Sequence, residues 1–210
     1  MVEIKKELKY FWNWLWNSES WLSYLIFLII VFIVVKFIFL PGLGLIFGTS
    51  LPLAIVESSS MEHYSLGGIN SNCNGYDICG NCETKSTFFN KDNYWNTCRN
   101  WYEQNTNITK EQFNSFRLSD GFRKGDLIII YGKKQVEIGD IIVFNGGTAH
   151  PIIHRVISLD PIQTKGDHNP SQLSVETNIQ QNQVIGTAFG RIPYIGWIKI
   201  FFVELLNGFK

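Results

Sequence analysis

The chain has 210 residues, room for one membrane anchor and one modest domain but not for two full domains. Eighteen basic and 18 acidic residues balance to zero formal charge, which excludes the electrostatic footprint of a nucleic-acid binder. Aromatic residues make up 15% of the chain, seven of them tryptophan, a content that suits a protein at a bilayer surface. Residues 1–19 place Ile4, Leu8, Phe11, Trp12 and Leu15 at helical spacing opposite Lys5, Lys6 and Lys9. This pattern predicts an amphipathic segment lying in the membrane interface, with an ordinary helix packed on the domain as the alternative.

Residues 20–40 are an almost unbroken run of Leu, Ile, Val and Phe, and about 20 such residues cross a hydrocarbon core as a helix. A cleaved targeting signal would have a shorter apolar core and a small-residue cleavage site. Pro41, Gly42, Gly44 and Gly48 are expected to end the helix, leaving Lys36 late enough to extend its ammonium to the far interface. Lys5, Lys6 and Lys9 precede the span, and after Lys36 the next basic residue is Lys85. The bias of positive charge places the N-terminus in the cytosol and the rest of a single-pass protein outside it, in the cell membrane.

Beyond the span, residues 41–61 read as an apolar loop and a first strand. Residues 62–121 change character, being polar and rich in Asn, Gly and aromatics, and form a cysteine-rich accessory insertion. It holds all four cysteines, in the spacing Cys73-x5-Cys79-x2-Cys82-x15-Cys98. In an external compartment these favour two disulfides. A zinc site is the rival, since Cys79-Gly80-Asn81-Cys82 has a metal-binding turn, but the remaining spacing is irregular and no histidine falls within the cluster. Asn107-Ile108-Thr109 fits a glycosylation acceptor or a plain polar loop.

From 122 to 196 the pattern is that of short strands: Leu127–Tyr131, Ile141–Phe144, 151–156 and 183–191. Gly125-Asp126 and Gly139-Asp140 read as turns before the first two. With residues 41–61 they predict a mainly β, all-β domain behind one N-terminal transmembrane helix. Residues 197–210 are apolar but too short, and too broken by Lys199 and Glu204, to span alone. A membrane-surface amphipathic helix or a last strand is expected there.

Four motifs stand in a particular order: Ser58-Ser59-Ser60-Met61, the two Gly-Asp pairs, Ile152-Ile153-His154-Arg155-Val156, and Lys165-Gly166-Asp167-His168-Asn169. In this the chain resembles the type I signal peptidases of the archaeal and endoplasmic-reticulum kind, over about residues 52–196 and interrupted by the insertion. The resemblance implies Ser60 as nucleophile, because the family places it directly before a methionine, and His154 as general base. It further implies an oxyanion hole from Ser58 and the Ser60 backbone N–H, and Asp167 as the residue that orients His154. Bacterial members carry a lysine where His154 stands. Lys165 lies in the wrong motif for that role, and Asp160 is the competing carboxylate. The sequence departs from the family in two places. His63 stands where Met-Glu-Pro is usual, and the family's second aspartate is missing, with Glu176 as its candidate substitute.

A serine hydroxyl is a poor nucleophile until a neighbouring base takes its proton, and a neutral imidazole suits that task. The resemblance therefore implies a serine endopeptidase that removes signal peptides from exported preproteins, cleaving after small residues. It implies no cofactor or metal, and as partners the signal peptide, the lipid bilayer and the protein translocation machinery, without nucleic acid. The rival reading is a catalytically idle membrane subunit or receptor on a peptidase-like domain, binding through its cysteine-rich insertion.

Overall fold

The computed structural model describes residues 2–64, 66–67, 76–83, 89–132 and 135–207. The chain divides into two compact units, Met1–Ile46 and Phe47–Lys210. In the first, α1 (Val2–Asn17) precedes α2 (Trp21–Val34), whose start is capped by the Ser20 hydroxyl accepting from the Leu22 N–H. A π-helical stretch, Val35–Phe39, then joins α2 to α3 (Leu40–Phe47).

The expected stop at Pro41 is therefore corrected, because the helix continues through it to Phe47. Proline in a helix interior lacks an N–H and its ring crowds the carbonyl four residues back. Here the wider turns come just before it, the Leu40 N–H reaching Val35 O, and such a bulge is a common way to relieve this conflict. Trp21–Phe47 is the one helix among the described residues long and apolar enough to cross a membrane.

The second unit is built on a six-stranded antiparallel sheet. Its strands are β1 (Leu53–Ile55), then β5 (Leu127–Tyr131), β6 (Ile141–Phe144), β7 (Ile152–Leu159), β8 (Ile162–Lys165) and β9 (Val184–Ile192), in the spatial order β1-β5-β9-β6-β7-β8. Each predicted strand is present to within a few residues at its ends, and β8 is additional. Val56, Met61, Phe122, Ile128, Ile130, Ile141, Val143 and Ala188 form one apolar core, and Val136, Ile142, Phe144, Val156 and Ile179 another. The two Gly-Asp pairs do make matching turns. Gly125 and Gly139 have φ of +90° and +91°, a region that penalises any Cβ, while Asp126 and Asp140 each accept from the N–H three residues earlier at 2.9 Å.

The insertion is more ordered than its polar composition indicates. A small sheet of β2 (Leu66–Gly67), β3 (Tyr76–Ile78) and β4 (Asn81–Glu83) is followed by α4 (Lys91–Asn105) and α5 (Lys110–Ser115). Asn90 caps α4, and Thr109 with Gln112 forms a capping box on α5. Cys79 and Gly80, with φ of 53° and 77°, make the two-residue turn of the β3–β4 hairpin, the φ > 0 pair that matches strand twist. Cys79 is disulfide-bonded to Cys98 of α4, and Cys82 is also disulfide-bonded. Three of the four sulfurs are thus spoken for as disulfides, not zinc thiolates; Cys73 lies outside the described residues. The aromatic core of the insertion comprises Tyr94, Trp95, Tyr102 and Phe113 with Ile78 and Ile108. The C-terminal segment folds as helix α6 (Trp197–Asn207).

Candidate active site

Ser60 sits in a turn that is fixed on both sides. Before it, Val56 exchanges backbone hydrogen bonds with the first Gly-Asp turn (Val56 N to Asp126 O 2.9 Å, Gly125 N to Val56 O 2.8 Å). After it, Met61 is 1% exposed, its sulfur accepts from the Asp167 N–H at 3.3 Å, and its carbonyl accepts from Phe122 N at 3.1 Å. The methionine is thus a buried plug that leaves the preceding hydroxyl in a half-buried position. Glu62 continues the clasp by accepting from Lys124 N at 2.8 Å, and burial raises its pKa.

Opposite Ser60, β7 supplies His154, in register with Ile142 of β6. The Ser60 hydroxyl and His154 Nε2 are 2.8 Å apart, and Nδ1 of the same ring is 2.5 Å from Glu176 Oε1. Glu176 is fully buried in a short 3-10 turn, Ser174–Glu176. It also accepts from the Thr164 hydroxyl at 3.0 Å and, through Oε2, from the Leu173 N–H at 2.6 Å. With both its oxygens occupied by donors, the carboxylate fixes the ring with a proton on Nδ1 and a lone pair on Nε2 facing Ser60.

The expectation that Asp167 orients His154 is corrected by this geometry. Neighbouring side chains on a strand point to opposite faces, so Arg155 looks away from His154, and Asp167 follows Arg155. Its two oxygens take Arg155 Nε at 2.9 Å and Nη2 at 2.7 Å, and His63 Nε2 lies 3.0 Å from Oδ2. Burial alone would raise the Asp167 pKa, but the guanidinium and the His63 hydrogen bond overcome it and hold the carboxyl well below the usual range. Burial lowers the His63 pKa, outweighing the nearby carboxylate, and facing that acceptor its Nε2–H donates to Asp167. This cluster of Asp167, Arg155 and His63 is a buried brace, and neither Arg155 nor His63 was signalled as its member by spacing. The alternation of β7 carried the one available hint, that His154 and Arg155 must serve different faces.

The remaining candidates are placed as follows. The Ser58 hydroxyl is 3.2 Å from that of Ser60. Lys165 is fully buried and its ammonium faces Gly166 O at 3.0 Å and the ring of Trp101 at 4.8 Å, turned towards the insertion. Burial, partly offset by Asp167 and Glu176, lowers its pKa to about 8. Gly166 passes so close to the pair that a Cβ there would lie 2.8 Å from His154 Nε2 and 2.8 Å from Ser60 O.

Ser58, Ser60 and His154 open onto a groove of about 630 Å³ walled by Leu53, Ala54, Ile55, Val143 and Ile153 among others. Its floor strand, β1, ends the sheet, being paired among the described residues with β5 alone. Across the mouth, Lys199 of α6 is paired with Glu57 at 2.8 Å.

No family model matches the chain. Curated proteins do. It is 28% identical over 102 residues to the signal peptidase complex catalytic subunit sec11 of Neurospora crassa, an alignment covering 41% of this chain and 59% of the relative. It is 34% identical over 101 residues to the SEC11 subunit of Candida dubliniensis, covering 41% and 61%. A third relative, from Pyrenophora tritici-repentis, is 30% identical over 105 residues, covering 41% and 59%. The chain thus spans about three fifths of the length of the curated relatives it matches. It is similar to signal peptidase complex catalytic subunits, and its described residues hold a mainly β domain and an N-terminal helix apolar enough for a membrane.

Proposed function

We propose that the chain is a membrane-anchored serine endopeptidase that removes N-terminal signal peptides from exported preproteins. The observation that carries this reading is the Ser60–His154 contact of 2.8 Å, with Glu176 on the far nitrogen of the ring. In this mechanism His154 Nε2 takes the Ser60 proton as Oγ attacks the scissile carbonyl. Glu176 holds the tautomer and stabilises the imidazolium that forms. The Ser58 hydroxyl and the Ser60 N–H donate to the oxyanion. The imidazolium then protonates the leaving amine, and a water activated by the same ring hydrolyses the acyl-serine.

The open edge of β1 supports the same reading from the substrate side. An extended peptide laid along it would complete backbone hydrogen bonds there while small side chains fill the shallow apolar wall of Ala54 and Ile153. The distribution of lysines favours a cytosolic N-terminus with the catalytic unit on the other side of the membrane. The relatives' names describe subunits of a complex, and we infer that further subunits accompany this chain too. The idle-subunit alternative is disfavoured by the serine and histidine standing at hydrogen-bond distance.

The test is replacement of Ser60 by alanine in membranes bearing the full chain, following a preprotein by its change in mobility. Loss of processing is expected. Processing at the parent rate rejects the reading.

A further inference from the structure

Beyond the chain connection at Met61–Glu62, the described residues of the cysteine-rich insertion reach the Ser60 loop through the short turn Gly166–Asn169. On one side this turn donates to the serine loop: His168 N–H to Ser60 O at 2.8 Å and Asp167 N–H to Met61 Sδ at 3.3 Å. On the other side its carbonyls are taken by the insertion: the Tyr94 hydroxyl donates to Asp167 O at 2.7 Å, and Cys79 N–H donates to His168 O at 2.9 Å. Both insertion donors are covalently coupled, because Cys79 is bonded to Cys98 on the helix that carries Tyr94. Tyr94 is fully buried and lies flat on His63, ring centroids 3.7 Å apart, so it also backs the residue that donates to the Asp167 carboxylate.

We propose that the insertion is a positioning clamp for the reactive serine, in which Tyr94 and the Cys79–Cys98 disulfide hold the Gly166–Asn169 turn against the Ser60 loop. This rests on the reading of Ser60 as nucleophile. Tyr94 touches neither Ser60 nor the groove; it acts through the turn, as a positioning residue. Slack in the turn moves Ser60 O, and with it the hydroxyl, relative to a ring that Glu176 holds still. Misplacement of a nucleophile on this scale costs turnover more than binding.

The experiment uses the full chain in detergent or bilayers with a preprotein substrate. It compares the parent, Tyr94→Phe, Ile108→Val and Ser60→Ala by kcat, KM and melting temperature. Ile108 lies in the same insertion core and bonds nothing in the turn through its side chain. The expected result is that Tyr94→Phe lowers kcat about tenfold with KM within twofold, while Ile108→Val lowers the melting temperature and leaves kcat unchanged. The clamp is overturned if Tyr94→Phe turns over like the parent, or if Ile108→Val loses as much kcat for an equal loss of melting temperature. If Ser60→Ala keeps full activity, the nucleophile reading and the clamp fall together. If Ser60→Ala is inactive and Tyr94→Phe is not impaired, the clamp alone falls.

Discussion

Glu176 reaches the Nδ1 of His154 from 22 residues downstream, at 2.5 Å, and is buried completely in doing so. The neighbouring motif acid, Asp167, never touches the ring. Glu176→Gln keeps the volume but removes the charge and leaves the ring without its fixed tautomer. We expect kcat to fall by roughly 10²- to 10⁴-fold, with KM little changed. Steady-state kinetics on a preprotein peptide measures it, and parent-like turnover would remove Glu176 from the mechanism.

Asp167→Asn should instead register as lost stability. The substitution leaves the Arg155 guanidinium, 0% exposed, without its counter-charge, a change that costs about 3–5 kcal/mol when one partner of a buried pair is removed. The sign with pH follows from the depressed carboxyl. Its contribution is whole above the unfolded value of about 3.9 and is lost as pH falls below that towards the folded value. Denaturant titrations of the parent should weaken on acidification below about pH 4, and Asp167→Asn should show a shallower decline there.

Gly166→Ala tests the packing beside the Ser60–His154 pair. The new methyl would enter within 2.8 Å of both His154 Nε2 and Ser60 O, and Ser60 O is backbone that cannot swing aside. Activity should drop at least tenfold, with the far-ultraviolet circular dichroism of the parent retained. An active Gly166→Ala chain would mean that the Ser60–His154 spacing is looser than 2.8 Å implies.

Lys165 offers a pH signature of the same sense as Asp167, placed at the alkaline end of the scale. Its folded pKa of about 8 lies below the ordinary 10.5, so between those values the unfolded chain binds more protons. Stability should therefore rise with pH across that window, by about 3 kcal/mol for this group alone. Lys165→Met, close in length and apolar, should be insensitive there. The difference between the two unfolding curves from pH 8 to pH 10.5 isolates the lysine, and a constant difference would count against its being buried as an amine.

The sheet was legible because its strands are short β-branched runs punctuated by Gly-Asp, where both the positive φ and the aspartate's local bond leave a trace in sequence. Motif order singled out Ser60 and His154, and the fold brings the two side chains to 2.8 Å. What the motif could not convey was which carboxylate faces the ring: Asp167 and Glu176 both sit near His154, and the alternation of β7 decides between them in three dimensions. The insertion was hidden for another reason. The stripe of Tyr94, Trp95, Cys98 and Tyr102 on α4 is interleaved with Asn, Arg and Glu, so its mean composition reads as a polar loop while one face is core. Pro41 misled in the converse way, since a breaker is tolerated where the preceding turns widen.

That tolerance has a consequence for the lipid. At 1.5 Å per residue, Trp21–Phe47 is about 40 Å long, whereas an average hydrocarbon layer is about 30 Å thick. Set across a bilayer, as proposed for the anchor, a rod with that surplus would lean, or stretch the layer around it, or lift its last turns into the headgroups. Lys36, eleven residues short of the end, resists being drawn to mid-depth. Thickness mismatch would thus become a force on the proposed anchor, one that shifts with acyl-chain length and sterol content.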